Sequence, residues 1–493
     1  PIPRPPPRST LTATRRQRQM CIRDSTKATQ AILNRKPPTG KKVAIAAAGP
    51  SGLAAAYFLA RLGYGCDVFE AAAEPGGLLR WGIPAYRLPR DILEHEIKRI
   101  ENAGVRIHCE SSVTETFLES LKKDYDGLFV GCGYARSFML NIEGEEFSAD
   151  GLEFLNRLGV GEKISYFGTA AIIGGGNTAI DVARSLTRLG AAPLIVYRRR
   201  IQDMPAFEPE VAMAVEEGVR IMELVTPIRI RETAGDASSS TPGYELTLQK
   251  MKVGKKESGG RARVIPAGEG AKTITVQNIF VAIGAVAEDL GQFPESEETN
   301  SLILSHCRFL DQKTPLIYGG DLTSPIKSVT DAIASGKQAA MALDTYFKHG
   351  MDTIEERLAG CKVGDGPALS MDVYLEKDRK NRTAHIVGYD EIVTDYFQPA
   401  ARSIPSTLDA GQRMRSFSEI VSTLDNAAAR DEAARCFNCG ICAACDYCRL
   451  YCPEMAVMVD KARRSINMDF CKGCGVCATE CPRNAMALEE EIK

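Results

Sequence analysis

The sequence predicts an α/β protein that carries a small α+β module at its C-terminal end, and three observations lead there. The first is an internal echo: VAIAAAGPSGLAAAYFLARLG (43–63) recurs in outline as AAIIGGGNTAIDVARSLTRLG (170–190). Both read as strand, glycine turn, helix, and each is followed by a short apolar strand, CDVFE (66–70) and PLIVYRR (193–199). Each is therefore the opening βαβ of a Rossmann-like, dinucleotide-binding lobe. The second is cysteine placement, since ten of the sixteen fall between Cys436 and Cys481. The third is size: 493 residues of ordinary globular composition suffice for two or three domains.

Taken in order, residues 1–25 are Pro/Arg-rich, have no apolar period and carry no acid before Asp24. Prolines oppose the amphipathic helix of an organelle transit peptide. The run RRQRQMCIRDS resembles translated sequencing adapter, so 1–25 is expected to be non-native or disordered, with the true N-terminus missing and 26–40 a linker. Residues 41–150 form the first part of the first lobe, with a helix at 90–103 and strands at RIHCE and DGLFVG. Residues 151–285 form the second lobe. It contains the helix FEPEVAMAVEEG, with Glu208, Glu210, Glu216 and Glu217 on its solvated side, a surface hairpin loop at 253–272, and the buried strand TITVQNIFVAIG. Strand PLIYGGD and a helix at 327–347 return the chain to the first lobe within 286–349. Residues 350–430 are polar and broken by Gly364, Gly366, Pro367, Pro399 and Pro405, a wrapping linker, and 431–493 form the cysteine module.

A glycine turn between strand and helix lets backbone N–H groups approach a pyrophosphate at the positive end of the helix. Gly49 and Gly52 hold the second and third glycine positions of the first turn, but Ala47 holds the first. An alanine there costs about 1 kcal/mol if its φ is positive. Glu70 ends the second strand, 21 residues after Gly49, where an acid accepts from a ribose hydroxyl. The second turn runs Gly174, Gly176, Ala179. The register that places Glu70 in the first unit places Tyr197 in the second, followed by Arg198, Arg199 and Arg200. The acid that favours NAD is missing and cations suited to a 2′-phosphate are present, so NADP(H) is expected.

Cys442, Cys445, Cys448 and Cys452 precede Pro453 as CxxCxxCxxxCP, and Cys471, Cys474, Cys477 and Cys481 precede Pro482 in the same pattern. In two-cluster ferredoxins the fourth cysteine of each run ligates the other cluster, which predicts ligand sets 442/445/448/481 and 471/474/477/452. Paired CxxC motifs also build zinc sites, but zinc needs no third cysteine at that spacing and no fourth beside proline, twice over. Cys436 and Cys439 form another CxxC, and the sequence leaves open whether they shift the register, ligate something with a partner, or pack. The lobes hold no CxxC of the kind that takes electrons from a flavin in disulfide reductases, so Cys66, Cys109 and Cys132 are expected to be buried structural residues. Clustered cysteines in a large chain without a signal peptide indicate metal binding in the cytoplasm. A net charge of −2 offers nothing to nucleic acid or an anionic membrane, and no run of about 18 apolar residues spans a bilayer. None of the five dispersed histidines sits in a motif, and no catalytic acid or nucleophile is assigned.

Residues 41–347 resemble the glutamate synthase small-subunit type of FAD and NADPH-dependent oxidoreductase, related to the N-terminal part of dihydropyrimidine dehydrogenase. The matching stretches are AAGPSGLAAAYFLARLGY, PGGLLRWGIPAYRLPR, IIGGGNTAIDVAR, VYRRRIQDMPA, VAIGA and YGGDLTSPIKSVTDAIASGKQAA. The resemblance implies FAD in the first lobe on Gly49, Pro50, Ser51, Gly52 and Glu70, with Gly76 and Gly77 near the flavin. It also implies Arg87, Gly284 and Gly320 as cofactor-binding residues and Asp321 near the ribityl chain and phosphate. NADPH falls in the second lobe on Gly174, Gly176, Asn177, Thr178, Arg198 and Arg199. The tail is similar to the subset with a two-[4Fe-4S] bacterial-ferredoxin-like domain. The resemblance implies a hetero-oligomeric electron carrier that takes hydride from NADPH onto FAD and exchanges single electrons through two clusters with a partner oxidoreductase subunit or ferredoxin. Two other readings are a glutamate synthase small subunit and an electron-transfer scaffold whose flavin site Ala47 impairs.

Overall fold

A computed structural model of the chain describes residues 35–134, 136–233, 243–254, 263–268, 270–287, 301–311, 313–376, 386–460 and 463–488. The segment 1–25, most of the 26–40 linker and the tip of the 253–272 hairpin lie outside the described residues. The described residues up to Met351, with Thr407–Val421, form one compact unit; Asp352–Ser406 and Ser422–Lys493 fall in the other.

In the first unit a seven-stranded sheet runs in the order Ser301–Ile303, Cys307–Leu310, Leu316–Gly319, Gly127–Val130, Lys42–Ala46, Gly65–Phe69, Val105–His108. The last five strands are mutually parallel and the first two antiparallel. Val43, Ala44, Ile45 and Ala46 are all buried, as a central parallel strand covered on both faces requires. The helix Pro50–Leu62 crosses the helix Val329–His349 closely, because a Cβ at Gly336 would stand 2.2 Å from the Ser51 carbonyl oxygen.

The second lobe is a parallel five-stranded sheet ordered Ala149–Asp150, Asn278–Val281, Thr169–Ile173, Ala192–Tyr197, Arg220–Glu223, with the helix Asn177–Arg188 after its central strand. An antiparallel sheet of Val225–Thr233, Gly243–Val253, Val264–Pro266 and Lys272–Val276 joins it. The expected single strand TITVQNIFVAIG is thus two strands in two sheets. Gln277 makes the break: its backbone N–H donates to the Thr169 carbonyl at 2.9 Å, and its Oε1 accepts from Thr169 N at 2.7 Å. Arg136–Ser137 and Ala285–Val286 pair antiparallel where the chain leaves the first lobe and returns.

Two further expectations are corrected. Glu210 and Glu217 are buried; of the four glutamates, Glu208 and Glu216 face solvent. Four guanidinium partners, Arg87, Arg184, Arg188 and, at 3.8 Å, Arg413, offset the cost of desolvating those two carboxylates. Cys66 is buried, its thiol pushed up to about 12 by burial, but Cys109 and Cys132 are only half-buried.

Part of the 350–430 segment returns to the first unit. Ile420 N donates to the Tyr86 carbonyl at 3.1 Å, Arg188 Nε donates to the Ser416 carbonyl at 3.1 Å, and buried Arg413 pairs with Glu216. In the second unit the cysteine module has short helices Tyr447–Leu450 and Val476–Thr479 and an antiparallel pair, Val457–Asp460 with Arg463–Ile466.

Candidate functional site

The first glycine turn links the strand Lys42–Ala46 to the helix Pro50–Leu62. Ala47 has φ 80°, so the left-handed conformation that penalises a Cβ is adopted. Its carbonyl oxygen would lie 2.0 Å from a Cβ at Gly52, which makes glycine obligatory there. The Glu70 carboxylate supports the turn from below: Oε2 accepts from Ala48 N at 2.7 Å and Oε1 from Ala72 N at 2.9 Å. Gly76 N donates to the Ala48 carbonyl at 2.9 Å, and a Cβ at Gly77 would stand 2.8 Å from the Gly49 Cα. From the far end of the lobe, Gly320 (φ 69°) lies so close to Ser51 that its Cβ would meet the serine Cβ at 3.0 Å.

Gly49, Pro50, Ser51, Gly52, Glu70, Gly76, Gly77 and Gly320, with Asp321 beside Gly320, therefore converge on one crevice at the carboxyl ends of parallel strands. Ser51 Oγ is buried there without a hydrogen-bond partner among the described residues. Burial raises the Asp321 carboxyl above the usual range, against the pull of Lys327. A phosphate-bearing group fits this chemistry: a helix N-terminus, backbone with no side chains in the way, and an orphaned hydroxyl. Arg87 is not in this group. Its Nη1 contacts both Asp181 oxygens, at 2.6 and 2.8 Å, and its Nε faces Glu210 at 3.4 Å, so its guanidinium is committed to carboxylates of the second lobe.

In the second turn Gly174 has φ 146°, and a Cβ there would stand 2.2 Å from the Ala282 carbonyl oxygen. Gly176 caps the helix Asn177–Arg188 and has open space before it. Asn177 Oδ1 accepts from Phe207 N at 3.0 Å, tying the turn to the following loop, and Thr178 is half-buried in the first helical turn. Gly284 has φ 119° and packs on the Phe138 ring. Tyr197 is buried against Gly175, where a Cβ would come within 2.4 Å of its ring, and its hydroxyl donates to the Asp203 carbonyl at 3.0 Å. The ring thus packs against the glycine turn that, in the first lobe, a carboxylate supports.

The three arginines that follow are unequal. Arg200 is held by Asp203 at 2.8 and 3.1 Å, Arg198 is exposed, and Arg199 Nε is buried without a partner among the described residues. Two guanidinium groups, not three, remain for an anion.

The sequence reading missed the charges behind this turn. Asp181, Arg184 and Arg188 share one buried face of the helix with Glu210, Glu217 and Tyr86, and Arg184 and Arg188 lie 5.0 and 4.0 Å from the Tyr86 ring centroid. Burial raises the Asp181 carboxyl to about 6, against the lowering pull of Arg87. The signal was present: charges at the i, i+3 and i+7 positions fall on one helix face, here the apolar one.

In the module, Cys442, Cys445, Cys448 and Cys481 line one cavity, part of it open to solvent, together with Asp446, Arg464 and Arg483. The first expected ligand set is thereby brought together, and Cys439 is not among the residues that line this cavity. Ala444 N points to Cys442 Sγ at 3.4 Å and Ala485 N to Cys481 Sγ at 3.2 Å. In the second set Gly473 N points to Cys471 Sγ at 3.4 Å and Ala456 N to Cys452 Sγ at 3.3 Å, the same offsets, while Cys477 lies in the short helix Val476–Thr479 and Cys474 precedes its N-cap, Gly475. Among the described residues no three Cys, His, Asp or Glu side chains close on a single ion; four thiols around a cavity, each run supplied with N–H donors, fit a cluster. Cys436 is half-buried and Cys439 exposed.

Residues 41–299 match the pyridine nucleotide-disulphide oxidoreductase family and residues 464–487 the 4Fe-4S binding domain. The chain is 33% identical over 414 residues to the NADP(+)-dependent formate dehydrogenase subunit beta of Moorella thermoacetica, covering 81% of this chain and 55% of that protein. It is 37% identical over 270 residues to the NADPH-Fe(3+) oxidoreductase subunit beta of Geobacter sulfurreducens (53% and 39%). It is 33% identical over 310 residues to the NAD-dependent dihydropyrimidine dehydrogenase subunit PreT of Escherichia coli (62% and 68%). The chain thus spans about half the length, or less, of the first two relatives. Among solved structures, Mycobacterium tuberculosis FprA in complex with NADPH shares the fold at 18% identity and a TM-score of 0.51, over 69% of this chain and 89% of that one.

Proposed function

The chain belongs to the pyridine nucleotide-disulphide oxidoreductase family and carries a 4Fe-4S binding domain, and from that premise we propose that it passes electrons between NADPH, FAD and two [4Fe-4S] clusters, to or from a partner oxidoreductase subunit or a ferredoxin. It is an NAD(P)H-dependent oxidoreductase with an FAD/NAD(P)-binding fold. The observation that carries the finer reading is the pairing of two unlike glycine turns with a module whose first predicted cysteine set shares one cavity.

The first turn suits FAD. The helix N-terminus offers the backbone N–H groups of Ser51 and Gly52, behind the N-cap Gly49 and Pro50, to a pyrophosphate, and Ser51 Oγ supplies a hydroxyl donor that nothing among the described residues uses. Glu70 fixes the turn through Ala48 N and keeps lone pairs for a ribose hydroxyl. Gly76 and Gly77 hold side chains away from the crevice. The second turn suits NADPH, because Tyr197 packs on it with no carboxylate and Arg198 with Arg199 offers cation to a 2′-phosphate. When bound, FAD joins the two-electron chemistry of a nicotinamide to the one-electron chemistry of iron–sulfur clusters.

In the module, backbone N–H groups of Ala444, Ala485, Gly473 and Ala456 stabilise thiolate charge. The partner reading is supported by these relatives, each of which is named as a subunit. Among the described residues no helix is long and apolar enough to cross a membrane.

Anaerobic purification followed by flavin extraction and iron and sulfide analysis tests this reading. It predicts about one FAD and about eight irons per chain. Loss of flavin bands would leave a ferredoxin-like scaffold, and about four irons would leave one cluster.

A further inference from the structure

The two cysteine runs repeat at a spacing of 29 residues, and the backbone repeats with them. Ala444, Asp446 and Met455 have positive φ, as do their counterparts Gly473, Gly475 and Asn484. The N–H···S contacts repeat too, Ala444 to Cys442 matching Gly473 to Cys471, and Ala456 to Cys452 matching Ala485 to Cys481. Against this near two-fold pattern, one position reverses its charge. Arg483, two residues after Cys481, corresponds to Glu454, two residues after Cys452.

The placement of the two is also unlike. Arg483 lines the cavity formed by Cys442, Cys445, Cys448 and Cys481, and its Nε is buried without a hydrogen-bond partner among the described residues. Glu454 is exposed. Arg464 lines the same cavity, but its Nε is taken by Asp446 at 2.6 Å, so that pair adds little net charge. A buried N–H favours an acceptor, and the thiolate and sulfide sulfurs of a cluster in this cavity would supply one.

We propose that Arg483 is a positioning residue for electron transfer: its Nε–H and its charge are directed at the cluster held by Cys442, Cys445, Cys448 and Cys481, and make that cluster the more easily reduced of the two. This rests on the two-cluster reading above. Accepting one electron makes a cluster and its thiolates more negative by one unit, so a guanidinium and an N–H donor at its sulfurs stabilise the reduced form over the oxidised one. The cluster of Cys471, Cys474, Cys477 and Cys452 has a solvated carboxylate in the matching place. Electrons entering the module therefore collect on the Arg483 side, and the other cluster is the stronger reductant.

The test is an anaerobic potentiometric titration with dithionite, read by electron paramagnetic resonance, on the full chain and on Arg483→Gln, Arg483→Lys and Glu454→Arg. The wild type should show two one-electron waves. Arg483→Gln should weaken reduction at the higher wave about tenfold, equivalent to 59 mV for one electron, and leave the lower wave in place. Arg483→Lys keeps the charge without the Nε–H and should show a smaller shift of the same sign. Glu454→Arg should raise the lower wave alone. Two waves that Arg483→Gln leaves unmoved, or moves together, overturn this inference. If that variant loses iron, a higher wave unchanged in Arg483→Lys overturns it. A wild type that holds a single cluster removes the two-cluster reading and this inference with it.

Discussion

Arg87 and Asp181 belong to different lobes of the nucleotide-binding unit, and one guanidinium nitrogen of Arg87 contacts both carboxylate oxygens of Asp181, at 2.6 and 2.8 Å. Tyr86 beside it is buried under Arg184 and Arg188, and the Thr407–Val421 segment closes over the cluster through Ile420 and Ser416. The two turns that would receive the dinucleotides are thereby held in a set relation by charge buried between them. Breaking such a pair leaves an uncompensated buried ion, at a cost of about 3–5 kcal/mol. Arg87→Met is expected to lose stability of that order in urea unfolding followed by the single tryptophan, Trp81. Arg87→Met with Asp181→Leu should recover most of it. A single variant as stable as the wild type would show that the pair does not join the lobes.

Ala47 is the one misfit in the first turn. With φ at 80° its Cβ is strained. Ala47→Gly is expected to raise stability by up to about 1 kcal/mol, the relief of strain exceeding the entropy glycine adds to the unfolded chain. The same variant should keep flavin through dilution better than the wild type. Gly52→Ala is the opposite case, since its Cβ would collide with the Ala47 carbonyl oxygen, and it should lose flavin altogether.

Coenzyme choice divides the arginine run. Arg198→Ala and Arg199→Ala should each raise KM for NADPH about 10- to 100-fold, the value of a charge-assisted contact of about 1.5–3 kcal/mol, and leave KM for NADH unchanged. Arg200→Ala should change NADPH affinity far less, because Asp203 already holds that side chain. Equal effects at all three positions would contradict this division.

Asp67 is buried under the first sheet, where burial raises its carboxyl but hydrogen bonds from Arg106 at 2.6 Å and His108 at 3.0 Å outweigh it and hold it down at about 2. Because this value is below the ordinary 3.8, its contribution to stability is full above about pH 4 and is lost as pH falls towards 2. Arg106→Ala should move the acid-unfolding midpoint, read by circular dichroism, to higher pH. An unmoved midpoint would show that the pair is not coupled to folding.

The turns and the cysteine runs were legible because their chemistry depends on spacing along the chain. Gly49 and Gly52, Gly174 and Gly176, and CxxCxxCxxxCP are local patterns, and Ala47 stands at the turn position where a positive φ matters, the sign itself coming from the structure. What was not legible depends on contacts distant in sequence. Glu210 and Glu217 look like solvated charges until Arg184 and Arg188, more than twenty residues earlier, are placed against them. Arg87 sits in a stretch that resembles a cofactor-binding family, yet Asp181 claims it. The split of 273–284 at Gln277 rests on a pairing with Thr169, and Arg200 falls out of the phosphate reading only because Asp203 folds back on it. Each is a tertiary partner overriding a local pattern.

In the proposed relay, electrons from NADPH reach both flavin and clusters in this one chain. That relay is tested most directly by an anaerobic titration of the purified holoprotein with NADPH and, in parallel, NADH, following the flavin and iron–sulfur absorbances together. NADPH should bleach both at near-stoichiometric additions, and NADH should require a large excess. Flavin bleaching that leaves the clusters oxidised, or bleaching by NADH alone, would contradict it.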